Sequence, residues 1–261
     1  MNIFQNTFRV LHNPEMLRLY ILWLTQRKPS LTVMKRKFFG FPTFSDYWSI
    51  YTDMPSSAEV MFVKNSIGEG GVAFDVGANI GLYSAIIASI EPNMYVYAFE
   101  PVEHTFNLLR ENLADLANVL PCRMAVSDHS GALFVTNTKA GFRSNHLCQE
   151  RIGKDVEKIC SVTIDEFADM RGVKSIALLK IDVEGSEPRV LRGLRSTKTH
   201  NILIEICQNN LEAMGSSMEE LYEEIRSKDL YPYMIENDGT TKQRMTMLDL
   251  RSVDLMNVAL R

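Results

Sequence analysis

The sequence predicts an α/β protein: a mostly parallel sheet flanked by helices, preceded by a helical extension. Three observations carry this. From about residue 56 onward, strand-like and helix-like patterns alternate, the mark of strands joined by crossover helices. The first strand, Val72 to Val76, leaves through Gly77 and Gly81 directly into an apolar run with helical spacing. The last two strands are joined by only about twenty residues with Asp238-Gly239 as a turn signal, which suits a hairpin better than a helical crossover.

The elements follow in order. Residues 1–55 form a distinct lead-in, with seven Lys/Arg against three Asp/Glu and both tryptophans, Trp23 and Trp48. Met16 to Leu24 is apolar except for Arg18, too short to span a bilayer, and reads as a helix packed on the main domain. The basic residues that follow it, Arg27, Lys28, Lys35, Arg36 and Lys37, make a membrane-surface helix the alternative. An apolar dimer surface is a further use of the same block. Phe38 to Pro42 reads as a loop or short extended piece, and the lead-in as a whole is expected to cap the sheet or shield the active site.

Residues 56–261 form the main domain. After Val72–Val76 comes a helix over Gly81–Ile90, with Tyr83, Ile86, Ile87 and Ile90 on one face, then a second strand over Met94–Phe99. A helix bearing Phe106, Leu109, Leu113 and Leu116 leads to a third strand, Val119 to Val126, whose Pro121 suits an outer position. Gly131 to Thr136 adds a small strand. Thr163 and Glu166 form a capping box that opens a short helix. Ile176 to Val183, mostly apolar, reads as a central strand. Pro188 suits the first turn of the next helix and Gly193 its end. Asn201–Ile206 is the fifth strand, Ser217 and Glu220 open another capped helix, and Tyr231–Ile235 with Met256–Leu260 close the sheet.

Composition bounds the function. Of 261 residues, 46% are apolar, ample for a core, and the formal net charge of -4 makes nucleic acid a poor partner. No signal-peptide pattern is seen at the N-terminus. Cys122, Cys148, Cys160 and Cys207 have no metal or redox spacing and read as free thiols in a reducing, cytoplasmic compartment.

The chemistry sits at the strand ends. A nucleotide-like ligand belongs at the carboxyl end of the first strand, where such sheets open a crevice. A dinucleotide fingerprint laid from Gly77 would put its second glycine on Asn79 and its third on Leu82, which leaves an NAD-dependent oxidoreductase poorly supported. S-adenosylmethionine needs only a tight turn for its methionine part, and Asp75 suits that ligand's ammonium. Glu100, followed by Pro101 and nineteen residues after Gly81, ends the second strand where a carboxylate accepts both ribose hydroxyls. Ser127 or Asp128, ending the third strand, is placed to meet the adenine amino group, or forms a plain turn. In Leu178 to Glu187, Lys180 interrupts an apolar strand and calls for a partner, with Asp182 and Glu184 on the same strand face if the strand continues. A structural ion pair is the alternative to catalysis, as a non-catalytic cofactor-binding protein is to an enzyme. Asp182, Glu205 and Asn209 offer oxygen ligands for Mg²⁺, which nothing in the spacing requires. His104 reads as a surface residue at a helix start or as a base. His146, after the polar Gly141–Asn145, belongs to a candidate lid.

Taken together, DVGANIGLYS, AFEP and LKIDVEGSE, in this order and spacing, resemble the FkbM-type S-adenosylmethionine-dependent methyltransferases over Phe74 to Glu205. The resemblance implies a Rossmann-like class I methyltransferase sheet with a final antiparallel strand. It also implies an O-methyltransferase acting on hydroxyls of sugars or polyketide-like molecules. Its cofactor roles fall on Asp75, Gly77, Ala78, Asn79, Gly81 and Glu100, and its active-site block on Lys180, Asp182 and Glu184. Asp182 is the first candidate for the base, Glu184 the second, with Lys180 holding both. Residues 1–55 and Gly141–Cys160 match none of its motifs and are expected to select the acceptor.

Overall fold

A computed structural model describes residues 14–25, 30–41, 43–136, 146–148 and 156–261. The lead-in is not wholly helical. Helix α1 (Pro14–Thr25) is followed by an antiparallel hairpin, β1 (Leu31–Val33) and β2 (Arg36–Phe38), and then by helices α2 (Phe44–Thr52) and α3 (Ser57–Ser66). The hairpin escapes sequence reading because its turn, Met34-Lys35, takes positive φ without a glycine to announce it. Capping boxes open both later helices: Thr43 with Asp46, and Ser56 with Glu59.

The main sheet then builds in the expected sequence. Strand β3 (Gly71–Val76), α4 (Leu82–Ile90), β4 (Met94–Phe99), α5 (Glu103–Asn112) and β5 (Val119–Cys122) make its first half. The third strand does not continue to Val126. After Cys122 the chain leaves the main sheet, and β6 (Ala125–Val126) pairs with a second, four-stranded sheet together with β7 (Gly131–Thr136), β8 (His146–Cys148) and β9 (Val156–Val162). Helix α6 (Ile164–Arg171) opens on the Thr163–Glu166 box. A short parallel pair, β10 (Ser175–Ile176) with β12 (Lys198–Thr199), flanks β11 (Leu178–Ile181) and α7 (Glu187–Arg192), which starts with Pro188 in its first turn. The central strand is therefore shorter than expected and ends at Ile181.

The chain closes with β13 (Ile202–Cys207), α8 (Gln208–Ala213), α9 (Met218–Ser227), β14 (Pro232–Tyr233), α10 (Met247–Arg251) and β15 (Leu255–Leu260). Only half of the second expected capping box forms. Ser217 caps α9 by accepting from the Glu220 amide, while the Glu220 carboxylate turns to Ser216 and Arg192 instead.

The seven-stranded order is β14-β15-β13-β11-β3-β4-β5. Strands β13, β11, β3, β4 and β5 run parallel; β15 lies antiparallel to β13 and to β14, but the expected hairpin is modified, since the Asp238-Gly239 turn brings Tyr233 against Arg244 and α10 lies in the link to β15. Pro121 sits on the edge strand, where its missing N–H harms no ladder. Side chains alternate between two apolar layers. Ala73, Val96, Leu178, Leu203 and Ala259 face a layer containing Ile86, Ile87 and Leu109, together with Leu19, Phe38, Phe41, Tyr47 and Ile50 of the lead-in. Phe74, Phe99, Leu179, Ile204 and Val258 face the other, with Phe167, Val190, Leu191 and Leu221. The lead-in thus shares the core of one sheet face.

Candidate active site

The parallel strands end together, and their carboxyl ends open a cleft enclosing about 1200 Å³ including its mouth. Asp75, Gly77, Ala78, Asn79, Glu100 and Pro101 line it, as do Lys180, Asp182 and Glu184. Gly81 does not. Its φ of +99° starts α4, and a Cβ there would sit 2.7 Å from Leu113 Cδ1. Gly77 has φ +81°, and its Cβ would fall 1.7 Å from the Asp182 carbonyl oxygen. Both glycines are thus required by the close approach of neighbouring protein segments. Asn79, in the left-handed region with φ +50°, completes the turn.

The turn is held down by its neighbours. The Gly77 and Ala78 amides donate to the Phe99 carbonyl at 3.0 and 2.9 Å, and the Asp182 amide donates to Val76 at 2.9 Å. Glu100 accepts from the amides of Val102 (2.9 Å) and Asn79 (3.2 Å), so one carboxyl pins both the turn and the start of α5. Burial pushes this carboxyl up to about 8, more than its backbone hydrogen bonds pull it down. Asp75 is buried and accepts from the Ser84 hydroxyl at 2.6 Å; burial raises it to about 6 against the pull of Ser84 and Lys180.

One polar cluster fills the floor. Lys180 is fully buried, and its ammonium donates to Asn257 Oδ1 (2.9 Å), Asp182 Oδ2 (3.3 Å) and the Ile181 carbonyl (3.4 Å), under the Tyr83 ring at 4.8 Å. Burial works against its charge, and the surrounding acidic groups, Asp182 first, then Glu205 and Asp75, more than offset this, so its pKa is raised. The register explains the assembly: Lys180 lies opposite Asp75 on β3, and Glu205 of β13 opposite Asn257 of β15. Asp182 and Glu184 are not a continuation of the strand. The strand has ended, and Glu184 sits in a turn with φ +52°, accepting from Asn210 Nδ2 at 2.5 Å. Buried Glu187 ties this loop down by accepting from the Val183 and Gly185 amides, and burial raises it to about 7.

The remaining candidates separate. Met124, Ala125 and Val126 line the cleft, whereas Ser127 and Asp128 lie just beyond them, with Asp128 bonded to Ser127 and His129. His104 is exposed on the first turn of α5, and Thr105 faces the cleft beside it. Gly141–Asn145 lies outside the described residues, and His146 is described only as the start of β8. Among the described residues no group of three or more His, Cys, Asp or Glu is arranged to hold a metal ion. Asn209 is exposed and apart from the lining, and the Lys180 ammonium already fills the space between Asp182 and Asn257, so these residues do not fit Mg²⁺. Sequence reading assigned no role here to Tyr83, Asn257, Ile50 or Asp53, which all line the cleft, and gave Glu205 only a metal role.

Two buried polar atoms of the lining have no hydrogen-bond partner: Asn79 Oδ1, an acceptor, and the Tyr83 hydroxyl, a donor. With Asp75 and Glu100 they suit a ligand that carries an ammonium, a carboxylate and vicinal hydroxyls. S-adenosylmethionine has all of these.

The cleft opens at the carboxyl ends of parallel strands, the place where open α/β sheets take their ligands. The family model of the FkbM methyltransferase domain matches residues 75–230. The chain belongs to that family and is a methyltransferase, which closes the dinucleotide and non-catalytic alternatives. It is 27% identical over 205 residues to Methyltransferase 1 of Beauveria bassiana, covering 63% of this chain and 80% of that one. It is 28% identical over 172 residues to the hexuronic acid methyltransferase AglP of Haloferax volcanii, covering 64% and 69%. It is 31% identical over 157 residues to the 31-O-demethyl-FK506 methyltransferase FkbM of Streptomyces tacrolimicus, covering 48% and 60%.

Proposed function

We propose that this enzyme methylates a hydroxyl oxygen of a sugar or natural-product-like small molecule, with S-adenosylmethionine as donor. The observation that carries the reading is that Glu100 and Asp182, from the ends of β4 and β11, line one cleft on either side of the Gly77 turn. The names of relatives agree: one acts on hexuronic acid, one on 31-O-demethyl-FK506, and one from Sinorhizobium fredii is a 2-O-methyltransferase.

When bound, the donor supplies a methyl carbon made electrophilic by its sulfonium. The chain supplies the rest. Glu100 holds the ribose, while Asp75 and Asn79 face the ammonium. Asp182 receives the acceptor's hydroxyl proton as the oxygen–carbon bond forms. Positioning of this kind is worth on the order of 7–11 kcal/mol, and proton transfer about 10²–10⁴-fold. Lys180 spends its three protons on Asn257, Asp182 and Ile181, so it orients Asp182 rather than meeting the acceptor.

The lead-in is assigned acceptor selection, because α2 brings Ile50, and the residue after it Asp53, to the cleft wall. Ser127 or Asp128 is retained as the partner of the adenine. A reducing compartment is assigned on the free thiols Cys122, Cys160 and Cys207. Among the described residues no helix is long and apolar enough to cross a membrane.

Transfer of labelled methyl from S-adenosylmethionine to a panel of glycosides tests the reading, alongside Asp182→Asn. The variant is expected to bind S-adenosylhomocysteine like the wild type and to lose turnover. Full turnover in Asp182→Asn would place the base elsewhere.

A further inference from the structure

Glu205 interrupts the apolar strand β13, as Lys180 interrupts β11, and on the same sheet face. Its register partner is Asn257, which accepts from Lys180, so three adjacent strands converge on one ammonium. Glu205 and Asp182 both line the cleft, and the register sets them side by side: Ile181 lies opposite Ile204, so Asp182 follows next to Glu205. Two carboxylates cannot occupy one hydrogen bond, since each is only an acceptor; one of them must carry a proton.

We propose that Glu205 is a positioning residue for methyl transfer: it donates a hydrogen bond to Asp182 and thereby fixes the orientation in which that carboxylate meets the acceptor. This rests on the methyl-transfer reading above.

The surroundings decide which partner is protonated. Glu205 faces Asp182 and Lys180 from β11 and its following loop, Glu184 from the same loop, and Asn257 from β15; Asp75 and Tyr83 complete the cluster around Lys180. Burial, then the Asp182 charge, holds the Glu205 carboxyl well above the ordinary carboxylate range, while Lys180 pulls the other way. Asp182 has the direct bond to the Lys180 ammonium, so of the two carboxyls it is the acceptor in their shared hydrogen bond. Lys180 engages Asp182 Oδ2, and Glu205 is placed as a second donor to the same carboxylate. During transfer the acceptor O–H bond breaks and its proton goes to Asp182. The oxygen forms its bond to the methyl carbon, and the electron pair of the broken carbon–sulfur bond stays on sulfur. Glu205 keeps its own proton throughout.

Carbon-13 NMR of protein labelled in its Asp and Glu carboxyls, with S-adenosylhomocysteine bound, reads this directly. The Glu205 signal, identified by its loss in Glu205→Gln, is expected to report a protonated carboxyl at neutral pH. The Asp182 signal should sense the Glu205 titration in the wild type and lose that step in Glu205→Gln. In methyl transfer to glycosides, Glu205→Gln, which still donates, should keep kcat within a few fold and lose the alkaline limb of the pH profile. Glu205→Ala should lose about 10²-fold in kcat with donor KM unchanged. A merely structural role would not separate Gln from Ala in this way. An ionised Glu205 at neutral pH, or an Asp182 signal indifferent to Glu205→Gln, overturns the proposal even if no acceptor is in hand. Wild-type protein that binds no S-adenosylhomocysteine overturns the methyl-transfer reading itself, and this proposal with it.

Discussion

The proposed contact between Glu100 and the ribose predicts a cofactor affinity that depends on pH. The Glu100 carboxyl is buried, held at about 8 in the free protein, and already engaged by two backbone amides. A ribose that donates two hydroxyls to it requires the carboxylate. At pH 7 a carboxyl at about 8 is ionised in roughly one molecule in ten, so binding is weakened about tenfold, or ~1.4 kcal/mol. The sign is fixed: affinity for S-adenosylhomocysteine should rise with pH through neutrality and level off above about 8, and binding at pH 7 should release close to one proton. Asp75, at about 6, adds to the trend only on the acid side of this window. Calorimetry in buffers of different ionisation enthalpy measures both affinity and proton release. Glu100→Gln should bind more weakly and with no pH dependence above neutrality. The same substitution should flatten the dependence of stability on pH between about 4.5 and 8. The native state binds more protons than the unfolded chain between about 4.5 and 8, so wild-type stability falls as pH rises through that range. An affinity that ignores pH between 7 and 8.5 with no proton release, or a Glu100→Gln variant that binds like the wild type, would refute the assignment of Glu100 to the ribose.

The remaining predictions are structural and acceptor-side. Gly77→Ala adds a methyl onto the Asp182 carbonyl in a left-handed backbone, and should cost about 2–6 kcal/mol in chemical denaturation, enough to prevent folding in many domains. Thr163→Ala removes the cap of α6 and should cost about 1 kcal/mol by the same measurement, with turnover unchanged. Asp53→Asn should change acceptor KM while leaving S-adenosylhomocysteine affinity alone; the reverse pattern in calorimetry and kinetics would place α2 against the donor instead.

Much of this fold was legible because strands and helices declare themselves by period. Pro121 marked an edge and the apolar run before Lys180 marked the centre, as found, while the Asp238-Gly239 turn folds Tyr233 back on Arg244 and the link to β15 then runs through α10. What escaped was geometry without a local mark. The exit of the chain into a second sheet after Cys122 depends on pairing with β9, more than thirty residues later. The β1–β2 turn uses Met34 and Lys35 where a glycine would have signalled it. The two glycines of the first turn invited a reading of close ligand approach, yet what crowds them is Asp182 and Leu113, neither visible from the sequence around them.

The site was half legible for a reason that can be stated as a rule. Lys180 drew notice as a charge in an apolar strand. Asp75 in GVAFDV, Glu205 in ILIEIC and Asn257 in LMNVAL are the same kind of interruption, and the register places all of them on one sheet face. A polar residue in each of four neighbouring strands, at matching parity, is a cluster before any coordinates are known. Such a cluster stands or falls together. Lys180→Met alone leaves Asp182, Glu205 and Asn257 facing one another without their cation, and should cost about 3–5 kcal/mol in chemical denaturation. Adding Glu205→Leu and Asn257→Leu removes the two groups that Lys180→Met leaves facing Asp182, with Asp75 still held by Ser84, and should recover part of that loss. The triple variant should still bind S-adenosylhomocysteine, because Glu100 and the Gly77 turn are untouched, and should have no turnover. If it is no more stable than Lys180→Met, the strand interruptions are independent and the cluster is not a unit.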